Sequence, residues 1–188
     1  MFGGKKKREL KSGNIEKEIS YIMAVPKNAE EIKDPKNIID RLKEATLFDF
    51  KGAEMKENIT IKVSYKGKDY ELELIPEDFE LSEMYTINHN LTEENYNAMR
   101  EAKVGVTTAM KFGESVVDSY HLQIKVLYTL LPDMVGIVDF CTERILSSVW
   151  TKLAAESEIP PSPDYIYCVQ AVSAKDGNVW LHTHGDRK

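Results

Sequence analysis

Apolar and polar positions recur along the chain at intervals that divide it into short strands and helices. Residues 18–25 (EISYIMAV) form a β-rich run closed by Pro26, which predicts a first strand. Asp34 followed by Pro35 predicts a helix start, with aspartate as N-cap and proline in the first helical position. Ile38, Ile39, Leu42 and Ala45 then recur at helical spacing. Residues 58–65 (NITIKVSY) alternate, so Ile59, Ile61, Val63 and Tyr65 share one face. Lys66-Gly67-Lys68 turns the chain, and Tyr70, Leu72 and Leu74 return against Glu71 and Glu73. That pattern is a β-hairpin with one wet face.

Residues 77–90 are polar and irregular and read as a surface connection. Thr92 caps the next helix, with Glu93 and Glu94 in the first turn, where the helix dipole favours acids. Residues 105–112 (GVTTAMKF) read as a strand. Residues 114–131 give the clearest element: Val117, Tyr120, Ile124, Leu127 and Leu131 step by three and four until Pro132 ends the helix. Residues 135–140 (VGIVDF) predict a short strand covered on both faces. Ser147-Ser148 precede another helix, with Val149, Trp150, Leu153 and Ala154 expected inward. After the stiff stretch 159–163 (IPPSP), residues 165–172 and 178–184 flank Lys175-Asp176-Gly177 as a second hairpin.

The succession predicts an α+β fold, with helices packed on one face of a largely antiparallel or mixed sheet. Residues 1–12 are expected to form a disordered basic arm. Residues 13–188 are expected to form a single domain, with a subdivision near residue 90 left open.

The 188 residues carry a formal charge of −6, unevenly spread. The first twelve hold Lys5, Lys6, Lys7, Arg8 and Lys11 against Glu9, a net +4. Residues 52–101 carry a net −7. Phosphate recognition needs cation density along a surface, so the acidic body argues against nucleic-acid binding by the folded part. Two cysteines, Cys141 and Cys168, fit a reducing compartment and read as small buried apolar residues. No apolar run reaches the ~20 residues of a bilayer span. The expected location is cytoplasmic.

The dinucleotide fingerprint, phosphate loop, zincin and nucleophile-elbow motifs are absent. His182 and His184 share a face of the last predicted strand, and Asp186 follows. Two imidazoles and a carboxylate can grip zinc or another divalent metal, with further ligands from His121 or Cys168. Asp118 and His121, three apart on a helix, form half of an acid–base device if they face one another. Tyr165, Tyr167 and Trp180 are candidates for one cross-strand aromatic patch that docks a partner.

Residues 102–106 (AKVGV), 135–140, 147–150 (SSVW) and 177–185 (GNVWLHTHG) resemble a bacterial domain-of-unknown-function family. In that pattern a strand–helix–strand–helix unit leads to a closing L-x-T-x-G strand, matched here by Leu181, Thr183 and Gly185. The resemblance implies a small bacterial module of protein-binding or toxin-neutralising type and supplies no catalytic residue.

Three functional expectations follow. The first is a non-enzymatic module that binds another protein. The second is a metal-dependent hydrolase built on His182 and His184. The third is recruitment to RNA or an anionic surface through the basic arm. The sequence leaves enzymatic activity open and leans against it.

Overall fold

The computed structural model describes residues 19–86, 91–173 and 179–184. Among them, seven strands make one sheet: β1 (Ile19–Val25), β2 (Asp49–Met55), β3 (Ile59–Tyr65), β4 (Lys68–Asp78), β5 (Val104–Lys111), β6 (Gly136–Asp139) and β7 (Arg144–Ser147). Their spatial order is β2-β3-β4-β5-β1-β6-β7, and each pairing is antiparallel. Four α-helices accompany them: α1 (Pro35–Lys43), α2 (Glu93–Glu101), α3 (Val116–Leu130) and α4 (Ser148–Glu156). A separate hairpin, β8 (Cys168–Ser173) with β9 (Val179–His184), follows. The fold is α+β, as the sequence predicts.

The first strand enters the middle of the sheet, because β1 pairs with β5 on one side and β6 on the other. Strands β5 and β6 therefore run in the same direction, and α3 crosses over β1 to join them. Residues on both sides of position 90 contribute to this sheet.

Local signals fix the helix starts. Asp34 accepts a hydrogen bond from the Lys36 N–H at 2.9 Å, ahead of Pro35 in α1. Thr92, Ser115 and Ser147 each accept from an N–H three residues on, capping α2, α3 and α4. The β3–β4 turn places Lys66 and Gly67 at φ 50° and 74°, the positive values that a two-residue type I′ hairpin requires.

Two apolar clusters hold the layers. The larger lies between one sheet face and α1, α3 and α4, and includes Ile22, Ile61, Leu72, Leu74, Met110, Ile124 and Leu127. The smaller lies on the opposite face, where Met99 of α2, Phe79 and Tyr85 cover Met23, Val25, Val138 and Ile145. So α1, α3 and α4 share the expected face, while α2 packs on the other. Strand β6 is buried throughout, in keeping with its apolar sequence.

Two strands are not read from the sequence, and one expectation changes. Strand β2 (DFKGAEM) carries no clean alternation, because it is an edge strand with a register shift between Phe50 and Gly52. Strand β7 is four residues long and runs straight into α4, leaving no separate pattern to read. In α4 the buried residues are Thr151 and Ala155, while Val149 and Leu153, expected inward, are exposed. The basic arm and the 175–177 turn lie outside the described residues. No helix among the described residues is long and apolar enough to cross a membrane.

Ile124→Asp places an unpaired charge in the larger cluster and is expected to cost about 4 kcal/mol or more. Val149→Asp, on the exposed side of α4, is expected to stay within about 0.5 kcal/mol of wild type. Urea midpoints of the two variants check both assignments.

Candidate functional site

Among the described residues, the tightest convergence of titratable groups lies where the end of β3 meets α3 and the C-terminus of α4. Tyr65 comes from β3, Lys66 from the following turn, Asp118, His121 and Lys125 from successive turns of α3. Positions 118, 121 and 125 are spaced three and four apart, so they form one stripe along that helix.

His121 is fully buried and both ring nitrogens are engaged. Its Nε2 stands 2.8 Å from the Ala154 carbonyl oxygen, and its Nδ1 stands 2.8 Å from the Tyr65 hydroxyl. A carbonyl can only accept, so Nε2 carries the proton and the tyrosine hydroxyl donates to Nδ1. The rings meet edge to face at 5.7 Å. Burial pushes the imidazole down to about 4, and the Lys125 and Lys66 cations push the same way. Tyr65 is pushed up to about 12 by burial, then by the charge of Asp118.

Lys125 is also buried, and its ammonium donates to the Ala155 and Ser157 carbonyl oxygens. It lies 5.8 Å from the centroid of the Tyr65 ring, a cation–π distance. Burial holds its pKa below the usual lysine range. His121 and Lys125 together satisfy carbonyls that α4 leaves open at its C-terminus, where a cation also meets the negative end of the helix dipole.

Asp118 does not hydrogen-bond to His121. Its carboxylate accepts from Lys66 at 2.7 Å, and this bond holds it below the usual carboxylate range. The acid–base half-device expected at 118 and 121 is therefore divided between two different partners. The neutral imidazole is locked by Tyr65 and α4, which suits it to clamp a helix end rather than to move a proton. The sequence signal for this clamp was the spacing of His121 and Lys125, four apart among apolar residues. Tyr65 and the α4 carbonyls approach only in three dimensions.

The other expected residues lie outside this convergence. Tyr165 lies in a 3-10 turn (Pro163–Tyr165) ahead of β8 and packs on Trp150 of α4, with ring centroids 4.6 Å apart. The strand expected from residue 165 starts at Cys168, so Tyr165 is not part of the hairpin. Tyr167 is exposed and its hydroxyl donates to Asp164. Trp180, His182 and His184 fall within β9, opposite Val172, Gln170 and Cys168. Asp186 lies outside the described residues. Elsewhere among the described residues no group of three or more His, Cys, Asp or Glu is placed to hold a metal. Cys141 is half-buried rather than buried, and its thiol points to the Ile19 carbonyl at 3.8 Å. Beside it, the Asp139 carboxylate accepts from the Cys141 and Thr142 N–H groups, shaping the turn into β7.

The His121 clamp makes stability pH-dependent. In the unfolded chain the imidazole takes a proton near 6.5, in the folded protein near 4. Between those values the unfolded state binds more protons, so this contribution is present above pH 6.5 and is lost as pH falls toward 4. The total is about 3 kcal/mol. Urea midpoints of wild type and His121→Gln across pH 7 to 4 check this, with the wild-type loss expected to exceed the variant's.

No curated protein and no solved structure matches this chain. A family model described as protein of unknown function (DUF4026), N-terminal, matches residues 20–161. The match begins in β1 and ends after α4, ahead of the L-x-T-x-G strand that formed part of the sequence resemblance. Well over half of the chain lies inside it, and the protein belongs to the DUF4026 N-terminal family.

Proposed function

We propose that this chain is a non-enzymatic, bacterial and cytoplasmic module that works by binding another protein. The observation that carries the reading is the exposure of large apolar side chains along α4 and the C-terminal hairpin. Val149 and Leu153, four apart on one face of α4, are 67% and 66% exposed. Ile159 just beyond the helix is 78% exposed. On the hairpin, Val169 stands opposite Thr183, and Leu181 lies two residues along the same strand, so both residues share a face. Leu181 is 72% exposed.

Scattered exposed leucines are ordinary, but a stripe on a helix and a matching pair on a hairpin favour a surface meant to be covered. Burying such a side chain on a partner gains about 1.5–3 kcal/mol. The locked state of His121 and Lys125 supports the same reading, because the most perturbed groups are occupied in holding α4. A toxin-neutralising or immunity-like role is one form of this activity, suggested by the sequence resemblance. Leu153→Glu combined with Leu181→Glu is expected to abolish capture of the partner retained by the intact chain, with the melting temperature preserved. Retention of that partner by the double variant overturns the reading.

A second reading rests on strand register. Cys168 pairs with His184, and His182 lies two residues along β9, so the register sets three residues of metal-ligating type on one face of the hairpin. In a metal-dependent hydrolase these residues hold zinc or a similar divalent ion. Metal analysis of protein purified without a histidine tag decides the point. Stoichiometric metal lost in His182→Ala supports it, and metal-free protein with no thermal shift on adding zinc rejects it.

A further inference from the structure

The sheet face that α2 covers is covered only in part. Met23 and Val25, in the second half of β1, lie under Met99, Phe79 and Tyr85. Ile19 and Tyr21, in the first half, stand in solvent together with the neighbouring Phe140. Beside them runs a trough of about 340 Å³, lined among others by Ile19, Tyr21, Glu73, Ile75, Ala109 and Lys111. The strand pairing explains its shape. Ala109 of β5 is flanked by Tyr21 of β1 and Glu73 of β4, so the smallest side chain forms the floor between two larger ones. One wall is apolar. The other is acidic, because Glu71 and Glu73 alternate with the inward Leu72 and Leu74. Among the described residues, neither carboxylate makes an ion pair; Glu73 accepts from the Asn58 amide at 3.2 Å, and Lys111 is the one cation of the lining.

We propose that the trough is a docking site for residues 1–18 of the same chain. Three observations select this occupant. The segment joins the sheet at Ile19, itself a lining residue. Its cations, Lys5, Lys6, Lys7, Arg8 and Lys11, are the densest positive run in an otherwise acidic protein and complement Glu71 and Glu73. Its apolar residues Phe2, Leu10 and Ile15 flank those cations and match the apolar wall made by Ile19 and Tyr21, with Ile75 at the end of the acidic one. Reach is no obstacle, since eighteen extended residues span up to about 60 Å.

Exposed ion pairs contribute at most about 1 kcal/mol each, so charge steers the segment and an apolar side chain on the Ala109 floor anchors it. Tethering supplies an effective concentration in the millimolar range, so even weak docking is populated. The contact is salt-sensitive, because its charged half is at the surface. It involves other residues than the α4–hairpin surface, and its failure leaves that reading untouched.

The test uses the full chain carrying a photo-cross-linking phenylalanine analogue at position 10 in place of leucine. Mixed isotope-labelled and unlabelled protein distinguishes links within one molecule from links between two. The expected result is intramolecular cross-linking to peptides containing residues 19–21, 71–75 or 109–111. The yield should fall about fivefold when Glu71→Gln and Glu73→Gln are combined, and also at about 0.5 M salt. Both glutamates are exposed, so the double variant should keep the wild-type melting temperature. Links to other faces, links between molecules, or a yield indifferent to both glutamates overturn the proposal.

Discussion

Helix α3 is enclosed by the sheet, α1 and α4, so its polar groups must find their partners inside the protein. Nine consecutive residues, Ser119–Leu127, are buried, among them Ser119, His121, Gln123 and Lys125. An unmatched polar group in that setting costs about 1–3 kcal/mol, and a charge costs more. The fold meets most of the requirement, leaving among the described residues the Gln123 Oε1 buried without a donor. The Ser119 hydroxyl donates to the Ser115 carbonyl and accepts from the Gly113 N–H, tying the helix start to the end of β5. Gln123 donates to the Ser20 carbonyl and the Thr108 hydroxyl, fastening α3 to both β1 and β5. His121 and Lys125 turn to α4. The helix is therefore a polar tie between layers as well as an apolar spacer.

This arrangement also explains why the most perturbed titratable groups make a poor catalytic centre. A general acid or base needs a ring nitrogen or carboxylate within reach of a substrate. Here the His121 nitrogens are taken by Tyr65 and Ala154, and the Lys125 ammonium by two carbonyls. Perturbed pKa values often mark functional sites, but buried structural networks perturb them by the same desolvation. The geometry decides between the two, and at this site it describes a clamp.

Much of the fold was legible in the sequence because it rests on short-range rules. The Asp34-Pro35 start, the Lys66-Gly67 turn and the apolar stripe of α3 depend on residues within one turn of each other. What escaped depends on neighbours distant in the chain. Strand β2 is held by its pairing with β3 rather than by alternation of its own. The inward face of α4 is set by His121 and Lys125 gripping its end, which rotates Thr151 and Ala155 inward and leaves Val149 and Leu153 outside. Tyr165 reads as a strand residue but is captured by Trp150. At the candidate site, Asp118 and His121 have the spacing of a pair. The sequence could not reveal that Lys66, fifty-two positions away, takes the carboxylate instead.

The exposed apolar residues acquire meaning from this division of labour. Helix α4 is short, and nine residues are too few to hold a helix in water on intrinsic propensity. It is kept in place by its Ser147 cap, by Thr151 and Ala155 against the core, and by the His121–Lys125 grip on its C-terminus. With those contacts supplying the anchorage, the outer face of the helix is under no packing constraint, and polar residues there would cost the fold nothing. Yet valine and leucine occupy it, four positions apart, beside Lys152 and Glu156. An outer face that folding does not require to be apolar, on a helix anchored by its other contacts, leaves apolar area still to be buried, and that is the physical basis of the proposed binding surface.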